Sequence, residues 1–250
     1  MDLEFIEFSL QGGDPFTAQI PKPAQANTVP IAVIRRYDPG QSENLGYAMR
    51  FTDQGESYEL EVRVSGAAPN SRLHGVAMVI GLGAEFPAPE VHELELTTAQ
   101  PCGEINTAPL EGRVVLEAVQ RYEPGDAAVF EFSRDGGGAH ISYCVDQPEQ
   151  LDGALGVKVI ALDLPVGALA LESAAVLDSG TKVSDSFAAL GQVSKVVHLI
   201  GAQTLNETEA PGIGYAISCA QQAPYTCDYE LLRFKDGAAV AVGGSVLAIQ

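Results

Sequence analysis

The sequence predicts an all-β protein, an antiparallel β-sandwich of jelly-roll type with very little helix. Three observations carry that expectation. Apolar residues recur with period two over most of the chain, the spacing of a strand with one buried face. The 26 Gly and 15 Pro are scattered as punctuation between the apolar runs. Ala/Leu-rich stretches of helical character are confined to 166–177 and 183–191.

The elements follow in order. Residues 3–10 alternate Leu3, Phe5, Phe8 and Leu10 with Glu4, Glu7 and Ser9. The stretch 10–28, rich in Gln, Pro and Ala, reads as an extended arm or a long surface loop. Residues 57–64 put Tyr58, Leu60, Val62 and Val64 on one face and Glu59, Glu61 and Arg63 on the other. A helix would spread those charges around its circumference, whereas a half-buried strand separates them. The same pattern predicts strands at 29–36, 46–52, 91–97, 113–121, 127–133 and 140–145. It continues at 157–163, 193–200, 213–219, 227–234 and 238–249. The run 76–80 is continuously apolar, as in a strand buried on both faces. Turns are expected at Asp38-Pro39-Gly40, Glu123-Pro124-Gly125, Asp135-Gly136-Gly137-Gly138 and Lys235-Asp236-Gly237, since Pro presets φ and Gly accepts a positive φ. In 183–191, Ser184 or Asp185 would cap a short helix ended by Gly191.

Two β domains are expected. Residues 1–147 would form a sandwich or jelly roll carrying the arm near 10–28, 148–153 a polar linker, and 154–250 a second, smaller domain. Two short echoes run through the chain. Arg36-Tyr37-Asp38-Pro39-Gly40 resembles Arg121-Tyr122-Glu123-Pro124-Gly125, and Gly46-Tyr47-Ala48-Met49 resembles Gly214-Tyr215-Ala216-Ile217. Convergent turn chemistry is the preferred explanation for both.

The chain of 250 residues is 46% hydrophobic and 19% charged, a globular composition. Its net charge of −19 repels phosphate backbones and anionic headgroups, so neither nucleic acid nor a membrane is an expected partner. The acidity is concentrated in residues 1–150, with 23 acidic and 9 basic side chains. The start of the chain lacks a basic n-region and an apolar h-region, so synthesis in the cytoplasm without a signal peptide is expected. Free thiols are then the expectation for Cys102, Cys144, Cys219 and Cys227. Cys144 and Cys219, in apolar strand patterns, read as buried and inert; a bridge between Cys219 and Cys227 is the weighed alternative.

Local sequence carries few motifs of catalytic or metal-binding chemistry. His74, His92, His140 and His198 form no close ligand pair, and His140 and Cys144 lie about 13 Å apart on one strand face. Neither Ser173 nor Ser245 sits on a strand-to-helix elbow. Dyads of Cys144 with His140, or of Cys219 with His198, have no local support. Gly81-Leu82-Gly83 lacks the third glycine of a dinucleotide loop, and Pro87 and Pro89 forbid the helix that would follow. Glu93 with Glu95, and Glu59 with Glu61, read as solvated strand faces. No Asp-x-Asp-x-Asp-Gly loop surrounds Asp135 or Asp146, and Asn206-Glu207-Thr208 reads as a chance sequon.

No catalytic, cofactor-binding or metal-binding residues are assigned, and no cofactor is expected. The expected function is a non-enzymatic structural or assembly protein, most concretely a virion component such as a capsid, decoration or tail protein. It would self-associate or bind other structural subunits, and a small-molecule ligand is not expected. A β-sandwich binding or adhesion module, cytoplasmic or at a cell surface, is the alternative. A metal-dependent jelly-roll enzyme, with His74, His92 and His140 converging, is the third reading.

Overall fold

A computed structural model of the protein describes residues 1–42, 45–106, 114–123, 132–137, 140–145, 153–163, 169–173, 183–186, 195–198, 204–206, 214–219, 226–233, 239–241 and 245–249. The first strands are β1 (Asp2–Gln11), β2 (Phe16–Pro21), β3 (Asn27–Asp38), β4 (Gly46–Asp53), β5 (Ser57–Ser65) and β6 (Arg72–Leu82). Next come β7 (Glu90–Leu96), β8 (Cys102–Asn106), β9 (Val114–Glu123), β10 (Phe132–Gly137), β11 (His140–Val145) and β12 (Ala154–Leu162). The last are β13 (Leu169–Ser173), β14 (Val183–Ser186), β15 (Lys195–His198), β16 (Thr204–Asn206), β17 (Gly214–Cys219), β18 (Thr226–Arg233), β19 (Ala239–Ala241) and β20 (Ser245–Ile249). Among the described residues there is no helix, and the sheets are antiparallel, consistent with a β-sandwich.

Most expected strands are present, and the departures have identifiable causes. The stretch 10–28 is not a loose arm. Phe16–Pro21 forms β2, pairs with β5 and buries Ile20. Residues 169–173 and 183–186, expected in helices, are strands β13 and β14, so pairing with β20 and β18 outweighs local Ala/Leu propensity. Asp135-Gly136-Gly137, expected in a turn, lies within β10, opposite Ser142, Ile141 and His140. Residues 238–249, expected as one strand, hold β19 and β20. Gly40 does adopt φ +63, as its turn requires. Residues 124–131, 148–152 and 235–237, with the turns, linker and strand start expected there, lie outside the described residues. The strand just beyond them, β12, sits between β9 and β7, and β17 pairs with β3, so chain on either side of 148–153 shares sheets.

The pairings repeat three times. In β1–β6 the first strand pairs with the sixth, the sixth with the third, and the fifth with both the second and the fourth. The same rule holds for β7–β12. It holds again from β13 to β20, with β15 and β16 together standing for the third strand and β19 and β20 for the sixth. Even the irregularity recurs. The third strand skips one residue against the sixth at Arg35 in the first unit and at Gln120 in the second. Each of the first two units thus holds two three-stranded sheets, and in the third one of them is split into β13-β20-β15 and β16-β19; β4 pairs with β9 and β17 with β3 edge to edge, and β10 lies beside β16. The three head-to-tail joins close a ring.

Two apolar cores result. The larger one takes Phe8, Leu73, Ala77 and Val79 from β1 and β6, with Leu60 and Val62 from β5. It also takes Val157 and Val159 from β12 and Ile141, Tyr143 and Val145 from β11. The other core takes the alternate residues Ile31, Val33, Met78 and Ile80 of the first unit, against Leu116, Ala118, Ile160 and Leu162 of the second. It therefore lies between units. Strand β6 feeds both cores, and Gly75–Leu82 is buried throughout, which is why 76–80 has no polar alternation.

Candidate functional site

The joints between units are the most distinctive polar places on the molecule. At one, Tyr47 and Ala48 of β4 face Tyr122 and Arg121 of β9. At the other, Tyr215 and Ala216 of β17 face Tyr37 and Arg36 of β3. The two sequence echoes are thus each other's partners: an Arg-Tyr from one unit meets a Gly-Tyr-Ala from the next, twice, in the same register. Convergent turn chemistry, the preferred explanation from sequence, does not account for this. The matched residues are strand ends in equivalent joints of a repeated unit. Gly46 belongs there because a Cβ would lie 3.0 Å from the Tyr122 carbonyl oxygen and 2.5 Å from Ser65 Oγ. Tyr37, Tyr47 and Tyr122 pack together, with Tyr47 and Tyr122 stacked at 6.1 Å and Tyr37 edge-on to Tyr122 at 5.9 Å. The Tyr37 hydroxyl donates to the Leu45 carbonyl at 2.5 Å.

Pairing at each joint lasts only two residues, and the strands then part over a recess. The first recess, about 370 Å³, is lined by Glu7, Phe8 and Ser9 of β1, Arg35 and Arg36 of β3, His74 and Gly75 of β6, and Ala216 of β17. The second, about 730 Å³, includes Glu93, Leu94 and Glu95 of β7, Gln120 and Arg121 of β9, Gly156 and Val157 of β12, and Ala48 of β4. Every residue of the first set has its counterpart in the second at the same strand and register position. The second is wider and adds Arg50, Arg63, Glu123 and Lys158.

Ion pairs organise both recesses. Arg36 Nη2 donates to Asp38 at 3.1 Å, and Arg121 bonds the equivalent Glu123, with Nε at 2.7 Å. Arg35 lies 3.7 Å from Glu7, and Lys158 3.2 Å from the equivalent Glu93. Lys158 is buried, with its ammonium 5.9 Å from the Phe51 ring centroid. Arg121 also reaches Glu95 at 2.7 Å. Burial lowers the pKa of Arg35, partly offset by Glu7. Burial, followed by Arg36 and Arg72, lowers that of His74. These groups are suited to ion-pair recognition: guanidinium and ammonium donors held in a recess, facing carboxylates.

The residues weighed for catalysis are dispersed. His74 lies on β6, whereas His92 lies on β7 of another sheet and bonds Glu90 at 2.8 Å. His140, His198, Ser173, Ser245 and Cys219 lie on β11, β15, β13, β20 and β17, with their side chains outside the description. Among the described residues no three His, Cys, Asp or Glu converge as a metal-ligand set. Glu93 and Glu95 do share an exposed face, each paired with a cation.

Cys144 is not the buried, free thiol expected from sequence. It is bonded to Cys102, its direct neighbour across β11 and β8, with Cα atoms 4.2 Å apart. Strand β8 was not read in the sequence, so the register that brings the two together was not visible. Cys219 and Cys227 also occupy directly opposed positions on β17 and β18. No protein-family model matches the sequence, and no curated protein is significantly similar to it.

Proposed function

We propose that the protein is a non-enzymatic structural or assembly component that binds other protein subunits through the charged recesses at its unit joints. The observation that carries this reading is the repeated unit itself, which joins edge to edge at two equivalent joints and brings β10 beside β16 at the third, so that one chain presents near-equivalent faces. Such a frame suits a partner array with its own repeat. A virion shell, decoration or tail position is the concrete setting, and it needs no catalytic centre.

A second reading, a binding or adhesion module at a cell surface, accords equally with one observation. The Cys102–Cys144 bridge belongs to an oxidising environment, and surfaces of cells and virions both qualify. Size-exclusion chromatography with electron microscopy of the full chain, purified and in its native source, tests the assembly reading. Recovery in particles, rings or filaments is the expected result. A monodisperse monomer never found in such assemblies would overturn it in favour of the adhesion module.

A further inference from the structure

We propose that the recess at the β3–β17 joint is a carboxylate-binding site, in which Arg36 takes from a ligand the acid that Glu95 supplies to Arg121 at the β4–β9 joint. The inference holds whether or not the protein assembles, because a free small carboxylate satisfies it.

The two recesses supply the argument. Arg121 gives Nε to Glu123 and Nη1 to Glu95, both at 2.7 Å. Arg36 occupies the same register position and gives Nη2 to Asp38. Its Nε is buried without a hydrogen-bond partner. Where the second recess has Glu95, the first has Ser9, which brings no charge: Ser9 pairs with His74 as Glu95 pairs with Gly156. Arg35 replaces Gln120 in the first recess, whereas Lys158, Arg50 and Arg63 line only the second. Of the groups facing it, Arg35 and Arg36 are positive, Glu7 and Asp38 negative, and His74 is held toward its neutral form. The Arg36 side chain is 34% exposed and Asp38 takes only Nη2, so an edge of the guanidinium stays open to a carboxylate, the acceptor its planar fork fits. At Arg121, Nε is filled by Glu123, the counterpart of Asp38, and Nη1 by Glu95, so the acid that the first recess lacks is the Nη1 partner, whose place Ser9 takes. A recess of about 370 Å³ admits an acetate or the end of a Glu or Asp side chain.

The test uses the ¹⁵N-labelled full chain and the side-chain Nε–Hε cross-peaks of its arginines, with Arg36→Lys identifying the Arg36 peak. Sodium acetate is titrated against sodium chloride at equal ionic strength, and a hexaglutamate peptide is titrated in parallel. Acetate should shift the Arg36 peak saturably, with a midpoint on the order of millimolar, and leave the Arg121 peak in place. A response to hexaglutamate alone supports the site and identifies its ligand as an acid carried on a polypeptide. Ser9→Glu, an exposed position, should abolish either response by supplying the acid internally. No saturable shift with either probe, an equal shift at Arg121, or a response that survives in Ser9→Glu would overturn the proposal.

Discussion

At the scale of single residues, polar contacts on the outer strands are small and pH-dependent. Asp53 accepts from Lys22 at 2.6 Å and from the backbone of Gly55 at 2.7 Å. The Lys22 hydrogen bond is the larger cause holding its carboxyl below the ordinary value. A depressed carboxylate contributes stability above the unfolded-state pKa and loses it as pH falls through the folded-state value. Asp53→Asn should therefore lower Tm slightly at neutral pH, and the gap from the parent should close as pH is taken below about 4. Thermal melts at several pH values check this; a gap that widens in acid contradicts it. The Lys22 contact was not predictable from the sequence, because Lys22 and Asp53 lie 31 positions apart and are brought together by the register of β2, β5 and β4.

At the scale of elements, paired strands share out volume differently in the two copies. Phe8 faces Gly75 in the first unit, and Leu94 faces Val157 in the second. A Cβ on Gly75 would meet the Phe8 ring at 2.2 Å and the Val33 carbonyl oxygen at 2.6 Å. Gly75→Ala should cost about 1–3 kcal/mol by overpacking. Phe8→Leu in the same chain should recover part of it, giving a coupling of about 0.5–3 kcal/mol in a urea-denaturation cycle. Additive losses would mean that the carbonyl, not the ring, sets the limit. Strand faces were legible in the sequence wherever one side meets water, as in 57–64, where Leu60 and Val62 are fully buried. Edge strand β2 was missed because its alternation of Phe16, Ala18 and Ile20 with exposed Thr17 and Gln19 is short and is punctuated by Pro15, Pro21 and Pro23.

At the scale of the whole molecule, a disulfide and the ring of joints constrain the chain. The Cys102–Cys144 bridge closes a loop between residues 42 apart. On chain-entropy grounds it contributes roughly 4 kcal/mol. Replacing both cysteines by Ser should lower the unfolding free energy by about 2–4 kcal/mol in denaturant melts. Mass spectrometry of the parent with and without reductant should show the matching two-proton change; an unbridged parent would remove both expectations. The all-β class, most strand positions and the doubly buried 76–80 run followed from period-two patterning, which is local and survives without knowledge of partners. The threefold recurrence did not emerge, although its traces were present. Glu4-Phe5-Ile6-Glu7-Phe8-Ser9-Leu10 and Glu90-Val91-His92-Glu93-Leu94-Glu95-Leu96 keep only Glu, Glu and Leu in common. Volume changes compensated across a pair, as in Phe8 with Gly75 against Leu94 with Val157, let copies diverge in letters while register persists. The sequence therefore specifies which residues alternate and which face each can bury. Which strand lies beside which was decided by tertiary pairing, because joining β3 to β17 and β4 to β9 depends on hydrogen bonds between distant segments, and the recurring Arg-Tyr and Gly-Tyr-Ala motifs mark those joints without stating that they pair. That pairing made one arginine self-sufficient and left its counterpart open.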